Sequence, residues 1–167
     1  KTPPKRTLSL FIIIYNVEVD NNITAIILAA GKSERLGEPK ALIKCGNNIL
    51  IDFIVKRLES INLKVIIVTN SELKNPIKKA LKSKTATIIV PDDVRYRTGN
   101  LIAGLSLIEN PNKILVVPID RPGWSLKTIN ILLKMNQTCC PEFKGKGGHP
   151  LLICKNDINK LKNSKKD

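Results

Sequence analysis

Four short apolar runs limit what this chain can fold into more than any other feature. They are "AIILA" from Ala25, "LKVIIVTN" from Leu63, "ATIIVPDD" from Ala86 and "KILVVPID" from Lys113. Each is dominated by isoleucine, valine and leucine, and each gives way to glycine, asparagine, aspartate or proline. Runs apolar at successive positions belong to strands covered on both faces, as in parallel sheets. The stretches between them carry helical spacing. "NILIDFIVKRLESI" sets Leu50, Phe53, Ile54, Arg57, Leu58 and Ile61 along one side, and "GNLIAGLSLIEN" groups Leu101, Leu105 and Ile108. "SLKTINILLKMN" offers Ser125 as an N-cap. "SELKNPIKKALKS" is weaker, because Pro76 must lie near its start or break it.

Strand alternating with helix predicts an α/β fold: a single domain with a Rossmann-like, mainly parallel sheet and helices on both faces. A ligand then belongs beyond the carboxyl ends of the strands. The conspicuous polar clusters all fall just after a strand, which is that position.

A chain of 167 residues can bury a core of its own, built here with only 4% aromatics and therefore mainly from Ile, Leu and Val. Residues 1–22 read as an N-terminal extension that either adds an edge strand or stays loose. Residues 23–167 read as the functional domain, expected to be cut short at its C-terminus, where only a Lys/Asn-rich tail follows Asn156. The opening "KTPPKRTLSLFIIIYNVEV" pairs basic with apolar residues as signal peptides do, but it lacks a small-residue cleavage site. No run is long enough to span a bilayer. A cytoplasmic protein without a membrane partner is expected. The net charge of +14 suits an anionic partner. Its lysines are spaced as solvated helix faces, and no aromatic-interleaved basic stretch marks a specific nucleic-acid site. Cys45, Cys139, Cys140 and Cys154 contain no C-x-x-C pair and read as reduced, buried thiols.

The loop after the first run, "GKSERLGEPK", is neither a Walker A motif nor G-x-G-x-x-G: five residues separate Gly31 from Gly37, and Glu38-Pro39 follows. Its chemistry still fits phosphate. Small Ala29, Ala30 and Gly31 let a polyanion approach backbone N–H groups. Arg35 offers a planar fork to such an anion, and Lys40 a point charge.

The thirteen residues "LAAGKSERLGEPK", Leu28 to Lys40, resemble the L-A-A-G-x-S-x-R-x-G-x-x-K signature of MobA-like nucleotidyltransferases. "VVPIDRPG" is similar to that family's strand ending in D-x-P, "GKGGHPLLI" to its G-H-P segment, and "RTGNLIAGL" to its glycine-rich helix start. The resemblance runs from Ile23 to about Lys155. It implies the nucleotide-diphospho-sugar transferase type of fold and transfer of a nucleoside monophosphate from CTP or GTP to a phosphorylated acceptor, foremost molybdopterin. It further implies Lys40, Arg35 and Asp120 as catalytic residues, Asp120 as the ligand of Mg²⁺, and nucleotide contacts from Leu28, Ala29, Ala30, Gly31, Ser33, Lys40, Asn70 and Gly104.

The residues alone leave alternatives open. Asp120 also suits a turn before Pro122, His149 either lines an acceptor site or braces a glycine turn, and Asn70 either meets a base or ends a strand. Asp92 and Asp93 are equally ambiguous, and Gly104 admits either a base or a neighbouring helix. Family members usually continue past G-H-P with a further Gly-Asp-containing segment and a final helix, which the resemblance implies help shape the acceptor site. A cobinamide or sugar phosphate acceptor, a nucleotide-binding regulatory module and a basic nucleic-acid-binding protein are the competing readings.

Overall fold

The computed structural model describes residues 23–31, 37–92 and 96–163. The N-terminal extension, Ser33, Arg35 and Asp93 lie outside the described residues. Within them, the four apolar runs become β1 (Thr24–Leu28), β4 (Lys64–Val68), β5 (Thr87–Ile89) and β6 (Lys113–Pro118), joined in one sheet by β9 (Leu151–Cys154). The order is β5-β4-β1-β6-β9. The pairs β5–β4, β4–β1 and β1–β6 are parallel, and β9 runs antiparallel to β6 at the edge.

Successive residues of each inner strand feed opposite cores. Ala25, Ile27, Val65, Ile67, Leu115 and Val117 turn to one face, and Ile26, Ile66, Val68, Ile114 and Val116 to the other. On the first face lie α1 (Leu50–Glu59), α2 (Ser71–Ala80) and α4 (Leu126–Leu133), through residues such as Ile54, Ile77 and Ile129. On the second lie α3 (Arg97–Leu105) and α5 (Lys155–Asn163), through Leu101, Leu105 and Ile158. Each of these large side chains stabilises the fold by roughly 1.5–3 kcal/mol on full burial.

Several elements differ from the sequence expectation. Pro76 lies in the middle of α2 rather than near its start. Its missing N–H would have served the carbonyl of Glu72, an exposed residue of the first turn where water can substitute. The helix survives because Asn70 caps it and Leu73 and Ile77 are buried. The described part of the Lys/Asn-rich tail, up to Asn163, lies in α5, fixed by fully buried Ile158. Two hairpins have no counterpart in the sequence reading: β2 (Lys44–Cys45) with β3 (Asn48–Ile49), and β7 (Glu142–Phe143) with β8 (Lys146–Gly147). The second turns through Lys144 and Gly145, both at positive φ. The four cysteines are free but only half-buried. Burial, followed by Cys154 and Cys140 as neighbours, pushes the Cys139 thiol up. Among the described residues, no helix is long and apolar enough to cross a membrane.

Asp52 is a charged residue inside the core, 1% exposed within α1. Its carboxylate accepts from the Lys82 N–H at 2.8 Å and meets the Lys56 ammonium at 2.7 Å, tying α1 to the segment that follows α2. Burial works to raise this carboxyl. The hydrogen bonds from Lys56 and Lys82, with the charges of both lysines, outweigh it and hold Asp52 below the ordinary aspartate value.

Candidate functional site

Parallel strands that end together leave a crevice at their carboxyl edge, and here it has a volume of about 350 Å³. The end of β1 supplies Leu28, Ala30 and Gly31, and the end of β6 supplies Pro118 and Asp120. Lys40 enters from a 3-10 turn, Lys40–Leu42, anchored by Ala41, which is buried against the core. His149 enters from the start of β9. Because β9 is antiparallel, its first residues lie level with the last residues of β6: Leu151 pairs with Val116. The crevice therefore brings together Leu28, Ala30, Gly31, Lys40, Asp120 and His149, which are separate in sequence.

Three polar lining residues escape the sequence reading: Arg97, Asn100 and Arg121. Arg97 and Asn100 stand in the first turn of α3, whose N-terminus faces the strand ends. Asn100 is buried, whereas Arg97 and Arg121 are exposed. "RTGNLIAGL" and "PIDRPG" draw attention for their glycines and aspartate. Their polar neighbours are the available signal. With Lys40, Arg97 and Arg121 against Asp120, the described lining carries three cations and one carboxylate, a balance suited to a polyanion.

Other expected residues lie elsewhere. Ala29 is buried, and its N–H donates to the Val68 carbonyl at 2.8 Å. That donor is spent on the sheet. Asn70 uses both ends of its amide: Oδ1 accepts from the Leu73 N–H at 2.9 Å, and Nδ2 donates to the Ala30 carbonyl at 3.2 Å. It caps α2 and steadies the turn after β1, with Thr69 Oγ1 donating to the Ala29 carbonyl at 3.2 Å. Gly104 lies against the sheet. A Cβ there would stand 2.9 Å from Ile26 Cγ2 and 3.1 Å from Val68 Cγ2, so this glycine admits a strand rather than a base. Asp92 is exposed and outside the crevice lining.

Among the described residues, no group of three or more His, Cys, Asp or Glu could hold a metal ion. One exposed carboxylate at a strand end is instead suited to a hard cation that keeps water and phosphate oxygens as most of its ligands.

Comparison with known proteins agrees with this architecture. A "Probable molybdenum cofactor guanylyltransferase" of Bacillus cereus is 31% identical over 113 residues, covering 65% of this chain and 54% of its own length. The chain thus spans about half the length of such relatives. A crystal structure from Mycobacterium sp. strain JC1, of a homologue of a Mycobacterium tuberculosis protein, superposes with a TM-score of 0.73 at 19% identity, covering 88% of this chain and 77% of that one. The Mycobacterium tuberculosis H37Rv protein, solved as a complex with manganese, gives a TM-score of 0.68 at 18% identity, with 87% and 77% covered. These two structures share the fold. The family model of the MobA-like NTP transferase domain matches residues 25–167. With the sheet order, the strand-end crevice and this match in agreement, the chain belongs to the MobA-like NTP transferase domain family.

Proposed function

We propose that this chain binds a nucleoside triphosphate, GTP or CTP, in the strand-end crevice and transfers its nucleoside monophosphate to a phosphorylated acceptor of the molybdopterin type. The observation that carries this reading is the meeting of Lys40, Asp120 and the Ala30–Gly31 turn in one crevice. An acceptor phosphate oxygen attacks the α-phosphorus, the bond to the bridging oxygen of the β-phosphate breaks, and pyrophosphate leaves. An ionised phosphate needs little help from a base, so the protein's work is to position reactants and offset charge. Leu28, Ala30 and Gly31 let the triphosphate lie against the backbone, while Lys40 neutralises its oxygens. Ser33 and Arg35 are assigned to the same loop by the family signature alone. Arg97 and Arg121 add positive charge where pyrophosphate or an acceptor phosphate rests. His149 is placed on the acceptor side.

Asp120 is the residue that would hold Mg²⁺, and the manganese complex of the similar mycobacterial protein supports a divalent ion. Such an ion supplies charge neutralisation at the phosphates. The name of the Bacillus relative favours GTP over CTP as donor and a molybdopterin acceptor. Calorimetric titration with GTP and CTP, each with Mg²⁺ and with EDTA, tests the first half. Pyrophosphate release on adding molybdopterin tests the second. Absence of triphosphate binding under every condition rejects the proposal. Binding without release rejects the transfer step.

A further inference from the structure

Arg57 lies in α1, outside the crevice lining, yet its guanidinium reaches the loop that carries Asp120. Nη2 donates to the Trp124 carbonyl at 2.5 Å, and Nη1 donates to the Pro122 carbonyl at 3.4 Å. The same group sits 4.1 Å from the centroid of the buried Trp124 ring and 5.2 Å from that of Phe53. The loop has few means of holding itself. It leaves β6 through two main-chain bonds, Ile119 N–H to the Leu28 carbonyl and Arg121 N–H to the Pro118 carbonyl. Beyond Arg121, Pro122 has no N–H to donate and Gly123 has no side chain. Trp124 is buried in the core, and Arg57 takes the carbonyls on either side of Gly123, those of Pro122 and Trp124.

We propose that Arg57 is a positioning residue, clamping the loop so that the Asp120 carboxylate and the Arg121 guanidinium are presented to the crevice in one arrangement. The functional part rests on the proposed reading of Asp120 as the metal-holding group. A guanidinium suits the task because its flat fork serves two carbonyls while its face lies on the indole. A lysine ammonium offers no such face. The clamp also lies on the opposite side of the sheet from α3, so the two walls of the crevice are fixed from different faces.

The test compares Arg57→Met, which keeps an apolar stem of similar length, with Arg57→Lys, which keeps charge without the fork. Two quantities are read in each: amide hydrogen exchange at Ile119 and Arg121, the loop amides that donate to main-chain carbonyls, and the ratio of GTP dissociation constants without and with Mg²⁺. Exchange at those amides is expected to rise about tenfold in both variants, as for a locally loosened segment. The metal-dependent gain in affinity is expected to fall about tenfold, as for loss of a group that orients a metal ligand. Adding Arg57→Met to Asp120→Asn should then cost nothing further in that ratio, because a carboxylate already removed cannot be misplaced.

Unchanged exchange overturns the clamp, and so does faster exchange with the full metal-dependent gain retained. If Arg57→Met does not fold, Arg57→Lys carries both measurements. If the unaltered protein binds no triphosphate at all, the proposed function falls. The exchange measurement then decides by itself whether Arg57 holds the loop.

Discussion

Asp120 is a small exposed side chain carrying a large share of the proposed chemistry, so a nearly isosteric change there separates chemistry from folding. Asp120→Asn should alter stability by no more than about 0.5 kcal/mol, as at other exposed positions. Losing a carboxylate that holds a metal should remove several kcal/mol of charge stabilisation, hence about 100-fold or more in metal-dependent turnover. A pyrophosphate-release assay beside a urea melt checks both, and normal turnover would remove Asp120 from the metal role. Lys40→Ala should lower the chemical step more than GTP affinity, because charge grows on the phosphates toward the transition state. Loss of affinity with turnover intact would make Lys40 a ground-state contact only. That Lys40, Asp120 and Gly31 line one crevice is legible in the sequence, because each sits in a short motif that begins at a strand end. Asn70 also follows a strand, but the opening of α2 and the Ala30 carbonyl claim its amide. Arg97 and Asn100 can be assigned only once the start of α3 is known to lie over the strand ends.

Helix placement depends on contacts between residues far apart in the chain, which local periodicity records poorly. Gly104 illustrates this. In an open helix, glycine to alanine gains about 1 kcal/mol. Against Ile26 and Val68, the added methyl must push α3 off β1 and β4, so Gly104→Ala should instead cost about 1–3 kcal/mol in a urea titration. A stabilised variant would show that α3 yields without loss. Asp52 makes a second case. Helical spacing of apolar residues locates α1 but cannot announce a carboxylate buried within it. Its lowered folded pKa means the stability it contributes is fully present above about 3.8 and is lost as pH falls through the lower folded value. Asp52→Asn should therefore cost about 1–3 kcal/mol at neutral pH, as when a hydrogen-bonded charge is removed. The gap between variant and unaltered protein should narrow below pH ~4, measured as urea midpoints across that range. A gap that widens with acid would reverse the assignment.

The net charge of the whole chain, +14, describes its surface more than its site. Association with nucleic acid should be weak and should collapse between low and physiological salt, as screened, non-specific contacts do. Tight, sequence-preferring binding at physiological salt, read by fluorescence anisotropy, would contradict this. The alternation of strand and helix is legible because parallel pairing demands strands buried on both faces. The antiparallel edge strand β9 is not, since its four residues follow a glycine-rich stretch that reads as loop. That stretch is closed at its base. The Gly148 N–H donates to the Pro141 carbonyl at 2.7 Å, and the β7–β8 hairpin extends outward from this pinch with every residue from 142 to 147 exposed. The position of His149 is set by the register of β9 on β6 and not by the hairpin's length. The hairpin is thus a natural insertion point: a fluorescent tag or a surface-immobilisation peptide spliced between Lys144 and Gly145 should report on the crevice nearby without disturbing it.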